Sequence, residues 1–426
     1  MAIRKSDVKA VFVGELLAEK LMIPAYQRPY SWTTELALQL LDDLQDAHTK
    51  NADSPYVLGT VILHKHHTKN GDQLDVVDGQ QRLLTLRMIL FDVNFGNDQK
   101  PDSPVLKVWQ ALSGRLKKLH AQPLAALRQF INTRCHLVRV ETDDVDEAFR
   151  VFDSQNYRGL TLKPHDLLKA HHLREMRTET HAMQVAVVDT WESVEDKKLD
   201  RLFSKFLYRI ARWSRGESAP GFGIHDIGMF KGISRNDAGG LSPSARYHLA
   251  AQAAMPLLCT FGAGAGLTDR DALRSRFQLD ALLVAGRPFF EMVAFMLEEL
   301  DKLESEVKGQ LGQFDGSKSR YQYVYELFVA ALLYYTNKFG HEDLEETRDR
   351  LFAWAYALRI EKLRVQFASV DNRARGSDAP PSPFILLRNA MTGRVIRRAS
   401  TAHTRPAQPP EHEAELIALI KQKSHE

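Results

Sequence analysis

Residues 74–82 read Leu-Asp-Val-Val-Asp-Gly-Gln-Gln-Arg. A short β-like run, Leu74 to Val77, ends at Asp78-Gly79, and the helical pattern Gln80-Gln81-Arg82-Leu83-Leu84-Thr85-Leu86-Arg87 opens at once. A strand that stops at a glycine and turns straight into a helix leaves the first-turn N–H groups ahead of the helix's own hydrogen-bond ladder. Together with the positive end of the helix dipole, those groups seat a phosphate or another anion. Arg82 adds a fixed charge and a planar fork of donors that suits phosphate. The junction predicts a mixed α and β region with an anion site at its strand-to-helix corner.

The rest of the 426-residue chain is ordinary for a globular protein, with 44% hydrophobic and 26% charged residues, and its length predicts two to three domains. A net charge of +3 gives no global basic field, so nucleic-acid contact has to come from local patches. Cys135 and Cys259 lie far apart and form no zinc cluster by themselves; such low usage fits a reducing compartment. The N-terminal stretch carries charges throughout, unlike a signal peptide, and the longest apolar run, Val329 to Tyr335, is far short of a membrane span. A cytoplasmic protein without membrane contact is expected.

The first part mixes strand-like and helix-like segments. Val11 to Leu21 reads as a short helix and Leu21 to Pro24 as a strand ending at proline. Thr33 or Thr34 caps a helix through Leu36, Leu40, Leu41 and Leu44. Tyr56 to Leu63 is apolar on both faces, as a central strand is, and pairs with Leu74 to Val77. The helix after Gly79 is expected to reach Val93, and Val105 to Ile131 to be a helical pair broken near Gln122-Pro123. Leu137 to Val140 reads as another strand. After Glu147 the signals are helical: Thr190 to Trp213 as one segment, Asp271 to Leu303 as another, and a strongly buried helix from Tyr321 to Phe339. Asp371 to Pro383 reads as a linker, and Arg394 to Pro410 as a basic, disordered stretch.

Two further motifs stand out. Ile23-Pro24-Ala25-Tyr26-Gln27-Arg28-Pro29-Tyr30-Ser31-Trp32 places three aromatics, a glutamine and an arginine within seven residues. Aromatic faces stack on bases, and Gln and Arg bond to base edges or phosphates; the alternative is a loop whose aromatics anchor the next helix. The segment FDSQNYRGLTLKPHDLLKAHHLR (152–174) carries a turn signal at Asn156 to Gly159 and a proline suited to a helix start at Pro164. In it Asn156 and Arg158 would close over a ligand with Asp166 and Lys169 behind them, or the segment is simply a capped helix start with a surface ion pair. His171 and His172, in the same run, read as packing.

In this order, IPxYQRxYxW, YVLGTVIL, VVDGQQRLLTL and FDSQNYRGLTLKPHDLLKAHHLR resemble the N-terminal domain of GmrSD-type modification-dependent restriction endonucleases, related to ParB and sulfiredoxin-like folds. The resemblance covers roughly the first 175 residues. It implies a nucleotide site at Asp78, Gly79, Gln80, Gln81 and Arg82, joined by Asn156, Arg158 and Lys169, and a DNA-sensing set of Tyr26, Gln27, Arg28, Tyr30 and Trp32. It also implies a nucleoside triphosphate, GTP or another, with Mg²⁺ held by Asp78, and Gln80 or Gln81 orienting a water for slow hydrolysis. A nuclease of the His-Asn-His type, which many such proteins carry, finds no matching hairpin-and-helix context in the C-terminal half, where His341, His403 and His412 are scattered. Nor is there a P-loop.

The fold class expected is α+β and predominantly helical: a small ParB/sulfiredoxin-like mixed sheet in residues 1–175, a helical domain in 176–370, and a linker with a basic tail in 371–426. The function expected is a nucleotide-dependent sensor or regulatory subunit of an anti-phage DNA restriction system, with DNA and a nuclease protein as partners and a homodimer face on the helical domain. The competing reading is a ParB-like DNA-binding adaptor that holds nucleotide without hydrolysing it.

Overall fold

The computed structural model describes residues 8–24, 27, 30–68, 71–91, 103–144, 147–148, 151, 163–235, 240–260, 269–362, 364–377, 382–398 and 413–424. They form two compact units, residues 1–162 and 163–426.

The first unit is a five-stranded mixed sheet in the order β1-β5-β3-β4-β2, with helices against one face. Its strands are β1 (Val8–Phe12), β2 (Leu21–Met22), β3 (Tyr56–Thr68), β4 (Gly71–Asp78) and β5 (Cys135–Thr142). Tyr56 to Leu63 is central as expected, antiparallel to β4 on one side and parallel to β5 on the other. Val11 and Phe12, expected to start a helix, instead end strand β1, because they pair antiparallel with β5; α1 (Val13–Ala18) follows directly. No local signal announces that edge pairing.

α2 (Thr34–Lys50) starts where the sequence places it: the Thr33 side chain accepts from Leu36 N–H, and Ala37, Leu41 and Leu44 form the buried stripe. α3 (Gln80–Leu90) leaves the β4 end. The helical pair divides at residues 117–120, into α4 (Pro104–Leu116) and α5 (Ala121–Thr133). Pro123 lies in the first turn of α5, where a missing N–H costs nothing. Val61, Leu63, Leu74, Val76, Cys135 and Leu137 face these helices and build one core with Leu41, Leu86, Leu112 and Phe130. Thus β5 belongs to the sheet, and the helices before it provide the cover.

The second unit is helical. Ser319–Phe339 is buried nearly all round, as its composition predicts, and packs along Leu344–Glu361. The expected segment from Thr190 to Trp213 breaks at Ser193: one helix is His181–Glu192, and the next runs from Asp196 to Trp213 through a π-helical turn at Leu202–Leu207. Asp271 to Leu303 also divides, into Asp269–Arg276 and Arg287–Leu311. The region read as a linker contains the helix Phe367–Arg375. Asp371 is buried there, accepting from Trp213 Nε1–H (2.9 Å), the Ser218 hydroxyl (2.7 Å) and Ala219 N–H (2.8 Å). Its carboxylate is an internal acceptor, so its polarity does not signal solvent. Near the C-terminus, Glu413 is buried against Arg320, Tyr321 and Arg359, and Leu416 and Ile420 of Ala414–Ser424 are core residues. Among the described residues no helix is long and apolar enough to cross a membrane.

Candidate functional site

Gly79 sits between β4 and α3 in a left-handed conformation (φ 90°, ψ 3°) that only glycine adopts at little cost. A Cβ there would lie 2.8 Å from Val61 Cγ2 and 3.3 Å from the Thr60 carbonyl oxygen. The glycine therefore serves twice, reversing the chain and letting the corner seat directly on β3. Leu83 N–H bonds to the Gly79 carbonyl at 3.0 Å, so the N–H groups of Gln80, Gln81 and Arg82 precede the helix's own ladder. A left-handed residue followed by right-handed ones turns successive N–H groups toward a common concavity, the backbone form of an anion seat.

Arg82 reaches back to β3. One guanidinium N–H bonds to the Thr60 carbonyl at 3.2 Å, and the group lies over Gly59, where a Cβ would meet it at 3.1 Å. Gly59 has φ +112° and lies where the β3–β5 register slips between Val57 and Thr60. An irregularity in the middle of a central strand thus makes room for the Arg82 head. Burial pulls the guanidinium below its ordinary pKa, and the Asp78 carboxylate pushes it back up. Arg82 stays charged, with four of its five donors beyond the Thr60 bond.

The aromatic motif lies against this corner. Gln27 donates its side-chain amide to the Val77 carbonyl at 2.7 Å, one residue before Asp78. Gln81 Oε1 accepts from the N–H of Ser31 (2.8 Å) and of Trp32 (3.3 Å). The Tyr30 hydroxyl lies 2.7 Å from Thr85 Oγ1, and that oxygen donates its own hydrogen to the Gln81 carbonyl at 2.8 Å. Tyr30 is therefore the donor, and burial raises its pKa and keeps it neutral. Two motifs about 50 residues apart in sequence, Gln27 and Ser31 against Val77 and Gln81, are bonded into one structure.

These contacts redistribute the expected roles. Gln81 Oε1 is occupied by the N–H groups of Ser31 and Trp32. Tyr30 is 7% exposed with its hydroxyl satisfied, so its ring offers no face to a base. Trp32 is half-buried and packs on the core. Lys169, in the other unit, is 3% exposed and ion-paired with Glu192, which takes its ammonium away from any anion. Asp166 is in the first turn of Pro164–Glu175. Tyr26, Arg28, Asn156 and Arg158 fall outside the described residues. His171 and His172 are packing residues: His172 is stacked on Phe289 at 3.7 Å between ring centres, and each donates a ring N–H to a main-chain carbonyl, that of Lys231 for His171 and of Phe230 for His172.

Residues 13–173 match the family model of the GmrSD restriction endonuclease, N-terminal domain, and residues 183–414, more than half of the chain, match that of the Family of unknown function (DUF7834). The chain belongs to the second of these, the family of unknown function, and residues 13–173 are similar to the GmrSD N-terminal domain. No curated protein matches it. The GmrSD N-terminal match spans β3, the Gly79 corner and the aromatic segment, and the last two of these are bonded together through Gln27, Ser31, Val77 and Gln81.

Gly59 and Thr60 have no part in the site the sequence pattern predicts; the one signal for them is a glycine inside an otherwise apolar strand. The sequence pattern also passes over His64, His66 and Asp75, which share one face of the β3–β4 hairpin.

Proposed function

We propose that the chain is the nucleotide-dependent sensor or regulatory subunit of a DNA restriction system, and that its Gly79 corner binds and slowly hydrolyses a nucleoside triphosphate. The observation that carries this reading is the left-handed Gly79 pressed onto β3 beside a charged Arg82. Any side chain at Gly79 would collide with Val61 and push the corner off β3, and the adjacent backbone donors and guanidinium supply the charge that phosphates need.

In this reading Gly79, Gln80 and Arg82 grip the phosphates. Gln81, Thr85 and Tyr30 hold the 27–32 loop against the helix start, so that loop and phosphate site move together. Asp78 would hold Mg²⁺, which offsets the repulsion between carboxylate and phosphates. Gln80 orients the attacking water. No second cation stands beside Arg82 among the described residues of the corner, which fits slow turnover. DNA contact belongs to the aromatic loop, and cleavage to a partner protein.

The test is titration calorimetry with GTP, ATP, CTP and UTP on the full chain with Mg²⁺, followed by a phosphate-release assay. One nucleotide is expected to bind and release phosphate, with Arg82→Ala weakening binding by about 10-fold or more, the loss of one charge-assisted contact of roughly 1.5–3 kcal/mol. Unchanged affinity removes Arg82 from the site. Binding without phosphate release supports the adaptor reading, and no binding of any nucleotide refutes the site.

A further inference from the structure

We propose that His64, His66 and Asp75 form a binding site for one divalent transition-metal ion with an open coordination position. This site is separate from the Gly79 corner and does not depend on its function. His64 and His66 stand two apart on β3, so their side chains leave the same face of the sheet. β4 pairs antiparallel, with His64 opposite Asp75 and His66 opposite Gln73. The core-facing residues Leu63, Leu74 and Val76 alternate with these, which puts the three ligands on the face away from the helices that cover the core. One ligand atom from each lies within 4.8 Å of the others.

Two details distinguish this cluster from a chance ion pair. His66 Nδ1 and Asp75 Oδ2 are 3.5 Å apart. That is long for a charge-assisted hydrogen bond, but close to the roughly 3.3 Å edge of a tetrahedron with metal–ligand bonds of about 2.0–2.1 Å. Gln73 donates to Asp75 Oδ1 at 3.0 Å, which fixes the carboxylate and leaves Oδ2 toward His66.

Two imidazoles and one carboxylate, with no thiolate, suit zinc, iron(II) or manganese rather than a hard ion held by oxygens alone. Three protein ligands leave a position for water or an exogenous anion. His66 is 34% exposed, which gives the ion a path in. Asp75 lies three residues before Asp78 on β4, roughly 10 Å along the strand, too far for one ion to serve both.

The experiment is a zinc titration against a chromophoric chelator, on untagged full chain stripped of metal, repeated with cobalt(II) for its visible absorption. One equivalent of zinc is expected at low micromolar concentration or tighter, with cobalt giving the strong absorption of a low-coordinate nitrogen and oxygen site. Asp75→Asn, nearly isosteric, and His64→Ala are each expected to weaken binding at least about 10-fold, whereas His120→Gln at an exposed helix cap leaves it unchanged. Circular dichroism of Asp75→Asn separates a lost ligand from a lost fold. Equal zinc affinity for Asp75→Asn and the unaltered chain overturns the assignment, as does the absence of any equivalent bound at about 100 μM zinc.

Discussion

Replacing Gly79 with alanine perturbs the corner by shape alone, with no change of charge or hydrogen bonding. A left-handed backbone costs an L-residue about 1–2 kcal/mol. The new methyl group would lie 2.8 Å from Val61 Cγ2, a contact that something must yield to relieve, and overpacking of this kind costs about 1–3 kcal/mol. Together these give about 2–5 kcal/mol, a large share of the stability of an ordinary domain. With two units in the chain, a single global unfolding curve mixes their transitions, so hydrogen exchange read by mass spectrometry over residues 56–90 is the better assay. At about 1.4 kcal/mol per tenfold, exchange there is expected to quicken from roughly 30-fold to a few thousand-fold. Val61→Ala removes the clashing methyl, so in Gly79→Ala/Val61→Ala the steric part returns as a coupling of about 1–3 kcal/mol, while the backbone part remains. A Gly79→Ala effect below about 1 kcal/mol, or a pair of strictly additive effects, refutes the seating of the corner on β3.

Two other outcomes concern the helical unit. His172 accepts Gly286 N–H at Nδ1 and donates Nε2–H to the Phe230 carbonyl, so it is neutral in the fold; burial lowers its pKa well below 6.5, and burial, then Arg174, pulls His171 to about 4. The unfolded chain takes up these protons first, so stability is complete above pH 6.5 and falls as pH drops from there toward 4, by at most about 1.4 kcal/mol per pH unit for each histidine. Urea midpoints of the helical unit at pH 7.5, 6.5 and 5.5 measure this, and an unchanged pH slope in His171→Asn counts against it. Arg209 and Glu326, each 6% exposed at the side chain, are paired at 2.7 Å, with Lys205 more distant at 3.9 Å. Arg209→Met is expected to cost about 3–5 kcal/mol by stranding the carboxylate, and Arg209→Met/Glu326→Leu to recover most of it. Thermal unfolding that shows the double variant no better than the single one contradicts this account.

What the sequence determined by itself is local. Thr33 caps α2 because its hydroxyl sits three residues before a donor it can reach, and the leucine spacing of that helix sets its buried stripe. Gly79 marks the strand-to-helix reversal because no other residue tolerates its φ, and the apolar stretch from Tyr56 to Leu63 is central because it has no polar face to give to water. Tertiary structure decided what depends on distant partners. Val8 to Phe12 became a strand only by pairing with β5, more than 100 residues on. Asp371 and Glu413, polar residues in segments read as linker and tail, became internal acceptors because Trp213 and Arg359 are brought to them. Gln81 Oε1 and the Tyr30 hydroxyl meet their partners because residues 30–32 lie on the helix start. His64, His66 and Asp75 meet only in one register of the β3–β4 hairpin, and a slip of one residue would send the ligands to opposite faces. Propensity and pattern act over a few residues, whereas the roles of polar side chains are fixed by whichever partner the fold delivers.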